Sequence, residues 1–439
     1  MKSEGTDDGD QILILGGGIA GLAAANALSS AGRKVLVIEA SDQLGGMHAS
    51  RDIGPYTFDL GSIFYEDTAS LLNLAPGLRD LCQQKKRTQR RILPDGTLRH
   101  YPIEPKDILR WPIGKLMRAG FSMAWARLFK RLDGSLQGIC AARLGPVLFR
   151  ETGLRDYTVH FNRLPPEEIA EAFYHERMKF VHQATEVRRV FRSAWRALLG
   201  RPFRAKPRAP LYYRPRSGYG TLFERIENVL RARGVAFVMG AEVTRIVQDG
   251  DGAIVETSAG PFSGTGVVGA MSIDALHEAC FGERSGLESL DLLSLFVSAE
   301  TLSDEAGDVL FNFHSGGGWK RATIYSRLYP DAGVTREYFT VEVTVPRDEV
   351  PDAQDAFDRF REHLSDLGIA TGLRLEGSHV SAGAYPLLLR GKGAQAQTVI
   401  NRLQDAGVHL VGRQGRFEYL PTSSKVIART DEELENSGL

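Results

Sequence analysis

The chain has 439 residues, enough for two domains and a full core, and 43% hydrophobic with 25% charged residues excludes a disordered or fibrous protein. Its 54 Lys and Arg balance 54 Asp and Glu, so the overall charge offers nothing to a polyanion, and with no recognised nucleic-acid motif a nucleic-acid partner is not expected. Cys82, Cys140 and Cys280 are scattered without C-x-x-C spacing, which argues against a disulfide framework or a metal site and suits a reducing, cytoplasmic location.

Met1 to Asp10 is polar and acidic, the opposite of a signal peptide, and reads as a disordered tail. Ile12 to Leu15 is an apolar run of the kind found in a central parallel strand. Gly16-Gly17-Gly18-Ile19-Ala20-Gly21 follows at once and fits G-x-G-x-x-G. Ala20 to Ala31 is Ala- and Leu-rich, a helix by propensity, with Gly32 at its C-cap. Val35 to Ile38 is a second strand and ends in Glu39, about 20 residues past the glycines. Strand, glycine turn, helix, strand and acid together specify a dinucleotide site. Gly16 allows the tight turn, Gly18 lets backbone approach a pyrophosphate, Gly21 lets helix and strand pack closely, and Glu39 accepts from a ribose.

Glu39-Ala40 is followed by Gly45-Gly46, and this pattern resembles the flavoprotein superfamily of amine oxidases, protoporphyrinogen oxidases, phytoene desaturases and UDP-galactopyranose mutases. The resemblance implies FAD as cofactor, with Ile19 and Ala20 at the helix start and Met47 beside the second glycine pair. Met47 stands where amine oxidases generally have Arg. Tyr56 to Tyr65 resembles the superfamily's F-D-x-G segment, which places Gly61 and Ser62 beside the flavin ring; mutases carry a histidine just after that glycine, and this chain has Ser62-Ile63. A covalent flavin link through a cysteine is less expected than buried free thiols.

From Lys85 to Arg216 there are 29 Lys and Arg against 11 Asp and Glu. Apolar residues at three- and four-residue spacing predict helices over Ile113 to Leu132 and Pro166 to Leu199. Lys85 to Arg91 reads as a solvated basic run. Three readings of the remaining excess stand side by side. The arginines pair with the acidic rest of the molecule; or they line a pocket for a phosphorylated or nucleotide-linked substrate; or residues 117–132, basic and amphipathic with Phe121, Trp125 and Phe129 at four-residue spacing, contact anionic lipid. Those aromatics equally suit a core. Pro202 to Pro215 reads as an extended connector.

Arg216 to Leu222 leads into a helix through Arg233 and resembles the stretch where the superfamily's chain re-enters its FAD domain. Val235 to Met239, Ala241 to Val247 and Ala253 to Thr257 read as strands, the last two as a hairpin; by resemblance, backbone near Val243 meets the adenine end of FAD. Thr265 to Met271 is a further strand. Leu290 to Val345 contains alternating runs expected of an antiparallel sheet. Lys320 and Arg321 precede one of its strands. By resemblance a lysine of such a sheet holds water near the flavin, but Lys320 reads better as a surface residue and Arg321 as an anion clamp. Asp352 is placed to cap a helix that buries Phe357, Phe360 and Leu364. Val408 to Leu420 resembles the C-terminal G-R-x-G-x-x-x-Y segment of the mutases, which puts Gly412, Arg413, Tyr419 and Leu420 at the flavin and a helix N-terminus from Thr422 against the ring. Mutases have acids after the tyrosine; this chain has Pro421-Thr422-Ser423.

These readings combine into an α/β protein. A Rossmann-like FAD-binding domain (11–81, 217–280 and 385–439) carries an inserted mixed α+β substrate domain (82–216 and 281–384) with a helical part and an antiparallel sheet. The expected activity is FAD-dependent oxidation of a small, anionic or nucleotide-linked substrate in the cleft, with Arg214, Arg216 and Arg321, and on the resemblance Lys320, as candidate substrate ligands. A redox-neutral flavin-dependent mutase acting on a nucleotide sugar, and a membrane-associated flavoprotein acting on an isoprenoid or porphyrin, are the alternatives. No motif singles out a catalytic acid or base.

Overall fold

A computed structural model describes residues 11–61, 64–178, 210–250, 252–330 and 333–439. Ile12–Leu15 is wholly enclosed at the centre of a five-stranded sheet, ordered Val408–Leu410, Gly266–Gly269, Ile12–Leu15, Val35–Glu39, Ala236–Met239, with every pairing parallel. A parallel sheet must be covered on both faces, which explains the unbroken apolar runs. Ile12 and Ile14 face helices Ile19–Ser30, Gly220–Ala232 and Ser423–Ser437; Leu13 and Leu15 face helices Ile273–Phe281 and Gly393–Asp405 and the hairpin around Val255. The C-terminal strand thus adds to the sheet that the N-terminal strand begins.

The second large sheet has seven strands, in the order Arg374–Pro386, Ser289–Ala299, Glu337–Pro346, Arg321–Ile324, Val309–Asn312, Gln89–Ile92, Leu98–His100, antiparallel except where Val309–Asn312 meets Gln89–Ile92. Helix Ala353–Asp366 covers one face through Phe357, Phe360 and Leu364, and Asp352 caps it by accepting from the Gln354 and Asp355 N–H groups. The helical stretch from Leu136 to Met178 covers part of the other, packing Leu136, Phe149, Tyr157 and Phe161 around Phe311 and Phe313.

Several expectations need correction. The basic run from Lys85 is not a solvated loop: Gln83–Lys85 and Gln89–Ile92 are strands, Lys85 pairs with Asp308 at 2.9 Å, and buried Arg91 pairs with Asp107 at 2.8 Å. The helix read from Pro166 begins only at Ala172, because the preceding backbone bonds elsewhere: the Ile169 carbonyl accepts from Leu136 N–H and the Ala170 N–H donates to the Leu388 carbonyl. Leu211–Tyr213, expected as connector, pairs with Gln83–Lys85. Tyr385, placed at a domain boundary, continues the strand Arg374–Pro386 of the second sheet. The expected tail 1–10, the rest of the 166–199 helix beyond Met178 and the connector up to Ala209 lie outside the described residues. Among the described residues no helix is long and apolar enough to cross a membrane.

Candidate active site

The glycine fingerprint forms one wall of a nucleotide cradle. A Cβ at Gly21 would stand 1.8 Å from the Gly16 carbonyl oxygen, so helix Ile19–Ser30 can only seat this close to the strand with hydrogen there. That helix starts at Gly18 with no side-chain cap, which leaves its first-turn N–H groups for an outside acceptor. Glu39 is braced by the Gly17 N–H at 2.6 Å and the Ser41 N–H at 2.9 Å, one on each carboxylate oxygen, and its remaining lone pairs suit ribose hydroxyls. Gly45 donates to the Gly17 carbonyl at 2.9 Å and bridges to Gly18, so the second glycine pair lies along the first. The chain around Val243 approaches the same end, since Gly240 and Ala241 donate to the Ser41 and Glu39 carbonyls.

The C-terminal segment closes the cradle. Val411 donates to the Gly269 carbonyl at 3.0 Å, and Gly412 turns at φ +70° against Ala20 at the helix start. Arg413, the next residue, points its guanidinium over the Tyr385 ring at 5.4 Å, and Thr422 caps helix Ser423–Ser437 by accepting from the Lys425 N–H. Uncapped amides, a braced ribose acid and glycines where backbones meet fit a dinucleotide such as FAD.

Beside Arg413, aromatic rings of a buried core cluster and buried cations pack against one another as a closed chamber. Tyr385 and Tyr419 stack at 6.4 Å, Phe161 meets both edge-on or tilted, and Tyr157 stacks on Phe313 at 4.7 Å. The Lys320 ammonium sits 4.0 Å from the Tyr385 ring centre and 2.9 Å from one oxygen of Glu342; the other oxygen takes the Arg321 Nε at 2.6 Å. Arg177 reaches the Tyr157 hydroxyl at 2.8 Å and lies over the Phe161 ring, while its Nε is buried with no partner. Lys320 and Arg321 share the Glu342 carboxylate, while Arg177 and Arg413 reach the same group of rings through Tyr157, Phe161 and Tyr385.

Electrostatics follow from this imbalance. Burial alone would raise Glu342, but Arg321 and Lys320 override it and hold the carboxyl down to about 2. Burial would likewise raise Tyr385, and Lys320, with help from Arg321 and Arg413, brings it below its ordinary value. Burial pushes Tyr101 up to about 12. The Arg177 guanidinium, which burial would weaken, is kept above the ordinary arginine range by the Tyr157 and Tyr419 hydroxyls. The chamber carries a net positive charge in a water-poor setting, where an anion gains most.

Of the residues read from sequence, Gly16, Gly18, Ile19, Ala20, Gly21, Glu39, Gly45, Gly46, Val243, Gly412 and Arg413 converge on the cradle, and Tyr419 lines the chamber. Met47 packs at its edge, next to Gly61. Leu420 follows Tyr419 half-buried, Ala40 is exposed, and Ser62 lies outside the described residues. Lys320, read as a surface lysine, is instead buried within the chamber because Glu342 beneath it demands a counter-ion. Arg214 and Arg216 are away from the chamber. Arg214 is spent on buried Asp59 at 2.5 Å and on the carbonyls of Thr57, Pro215 and Arg216, and the Arg216 side chain is exposed. Sequence reasoning missed Arg177, Tyr157, Phe161, Tyr385, Glu342 and His48. Glu342 left no signal, since it shares the polar side of its alternating strand with Thr340 and Thr344 and is buried there all the same; His48, enclosed by Tyr65, Tyr219 and Phe223, directly follows Met47.

A family model described as flavin containing amine oxidoreductase matches residues 19–297, more than half of the chain. Among curated proteins, the chain is 36% identical over 99 residues to "Polyamine oxidase 5" of Oryza sativa subsp. japonica, covering 22% of this chain and 20% of that one. It is 34% identical over 107 residues to "Phytoene desaturase (neurosporene-forming)" of Cereibacter sphaeroides, covering 24% and 18%. The matched stretches thus span about a fifth of those relatives. Among solved structures, reduced UDP-galactopyranose mutase superposes with TM-score 0.76 at 16% identity over 98% of this chain and 95% of that one. A putative protoporphyrinogen oxidase from Exiguobacterium sp. 255-15 superposes with TM-score 0.71 at 14% identity over 98% of each. At such identities the likeness establishes the fold, a mixed α/β architecture with a parallel and an antiparallel sheet.

Proposed function

The chain belongs to the flavin-containing amine oxidoreductase family with FAD as its cofactor, and from that premise we propose that it oxidises a small anionic substrate, phosphorylated or nucleotide-linked, held in the Tyr385–Arg177 chamber. The observation that carries this reading is the gathering of cations there: Lys320 and Arg321 share the Glu342 carboxylate, and Arg177 and Arg413 lie over the Phe161 and Tyr385 rings beside it. A cationic amine would meet repulsion in this chamber, and a phosphate or carboxylate would find unspent donors. Bound FAD supplies the two-electron chemistry.

The protein's own part is positioning and electrostatics. Arg177, with Nε free and one Nη on Tyr157, has the fork geometry to hold an oxyanion bidentately. Lys320 and Arg321 are fixed by Glu342, so their charges are preorganised and cost no rearrangement on binding. Tyr385, Tyr419 and Phe161 exclude water and give the substrate's uncharged part an aromatic surface. The capped helix from Ser423 adds a positive end where the C-terminal segment meets the cradle.

The test titrates the purified yellow protein with inorganic pyrophosphate, a nucleoside diphosphate and putrescine while following the visible flavin spectrum. Expected is perturbation by the two anions, abolished in Arg177→Leu. Bleaching by putrescine with no response to anions would overturn the anionic-substrate reading. A second reading rests on the same cations, which suit a diphosphate linker equally: a redox-neutral rearrangement of a nucleotide sugar. Turnover under anaerobic conditions only after dithionite, with no oxidant consumed, would favour it over oxidation.

A further inference from the structure

Ten large hydrophobic side chains are conspicuously exposed on the described surface, and eight fall between Leu109 and Leu132: Leu109, Ile113, Met117, Phe121, Trp125, Leu128, Phe129 and Leu132. Six lie on the single helix Ile113–Phe129, at spacings of three and four residues, so they share one face. Phe121 is 71% exposed and Trp125 56%, and the three aromatics follow one another in a row, Phe121 stacked on Trp125 at 6.2 Å and Trp125 tilted against Phe129 at 4.3 Å. The opposite face explains how the helix is held. Ala119 and Ala126 are its buried residues, and a Cβ at Gly145 would come within 2.7 Å of the Met123 nitrogen. Small residues anchor the helix to its neighbours while the large ones point outward, the reverse of a core helix.

Charge selects the occupant. Between Ile108 and Leu132 there are six Lys and Arg, at positions 110, 115, 118, 127, 130 and 131, and no Asp or Glu. A second copy meeting this face would set like charges against each other. Residues 179–209, the longest internal stretch outside the described residues, carry nine Lys and Arg against one Glu, which opposes their covering it as well. Lys115 and Arg118 are tied to Glu151 at 3.0 and 3.5 Å, so the stripe is bordered by an excess of cations, with Arg110, Lys130 and Arg131 exposed at its ends, and that combination matches the acyl and headgroup layers of an anionic membrane. The helix is about 25 Å long by its 17 residues. It is not apolar enough to span. We infer that this helix lies in the plane of an anionic phospholipid surface, inserting Phe121, Trp125 and Phe129 between headgroups while the flanking Lys and Arg bind lipid phosphates.

The whole flavin-loaded protein is floated with vesicles of phosphatidylcholine alone and with 30% phosphatidylglycerol, at low and high salt. Flotation with the anionic vesicles, at least tenfold stronger than with the neutral ones and weakened by salt, is expected. The double variant Phe121→Glu/Trp125→Glu loses it at least tenfold while keeping its flavin spectrum and melting temperature. Lys130→Ala/Arg131→Ala loses the anionic preference but not all binding. Three results would overturn the inference: no flotation of the native protein; equal flotation of the Phe121→Glu/Trp125→Glu variant; or a wild-type dimer that this variant converts to monomer, which would make the face a self-interface. A drop of several degrees in that variant's melting temperature would also overturn it, since the stripe would then be packed beneath another part of the chain. None of these readouts depends on the substrate.

Discussion

Gly412 and Ala20 touch across nearly the whole chain: a Cβ built on Gly412 would stand 2.3 Å from that of Ala20, at a φ of +70° that disfavours any side chain. The carboxy-terminal segment can close on the fingerprint helix only because this position has no side chain. Gly412→Val should therefore cost about 2 kcal/mol or more and loosen the cradle specifically. The check is the FAD retained through gel filtration alongside the denaturant midpoint; a variant that keeps its full flavin content would show that the two segments need not meet.

Lys320, Glu342 and Arg321 form a buried triad, so breaking it from the acid side strands two cations. Glu342→Gln should destabilise by about 3–5 kcal/mol. Restoring balance with Lys320→Met in the same chain should recover part of that loss. A double-mutant cycle by chemical denaturation measures the coupling; purely additive losses would mean that the three charges act independently.

Arg214 and Arg216 are neighbours with opposite prospects. Arg214 is buried against Asp59, and although burial by itself would weaken its proton affinity, the carboxylate and the tyrosines around it hold the guanidinium charged. Arg214→Met leaves Asp59 buried with the Ser50 hydroxyl but without its counter-ion, at about 3–5 kcal/mol. Arg216→Ala should change stability by less than about 0.5 kcal/mol and leave the anion response of the flavin spectrum as it was. Loss of that response in Arg216→Ala would return Arg216 to the substrate site.

Acid should unfold the protein in two stages. His363 accepts from the Trp319 indole N–H at 3.1 Å and contacts His314 at 2.9 Å; burial first, then the nearby histidines, lowers its pKa to about 4 from 6.5. Folded, it binds fewer protons than unfolded, so its contribution is complete above pH 6.5 and lost as pH falls toward 4. His48, lowered to about 3 by burial and by Arg413, acts in the same direction to lower pH. Glu342, held at about 2 against an ordinary 4.5, contributes fully above 4.5 and loses that contribution as pH falls toward 2. Denaturation midpoints at successive pH values should thus slope downward from 6.5, and His363→Gln should flatten the limb between 6.5 and 4. An unaltered limb would assign it to other groups.

The cradle was legible in the amino-acid order because its physics is local. Strand, glycine turn, helix and Glu39 lie within a few dozen residues, and backbone geometry restricts each glycine whatever the rest of the chain does. The helix that Asp352 caps was readable for the same reason, whereas the Gly412-Arg413 pair was readable only through its resemblance to the mutases' terminal segment.

The chamber was not legible, because its members come from separate elements: Phe161 and Arg177 from the helical stretch, Lys320, Arg321, Glu342 and Tyr385 from the second sheet, and Tyr419 from the terminal segment. Composition flagged the arginines between 85 and 216 without telling Arg177, which lines the chamber, from Arg91, which pairs with Asp107. Periodicity identified the stripe of Phe121, Trp125 and Phe129 but left a core face and a lipid-facing surface equally open. Only packing chose, by burying Ala119 and Ala126 and leaving the aromatics outside. A residue's partner across the fold depends on which elements meet, and that is set by how the two sheets and their covering helices share the apolar surface, a property of the whole chain rather than of any window in it.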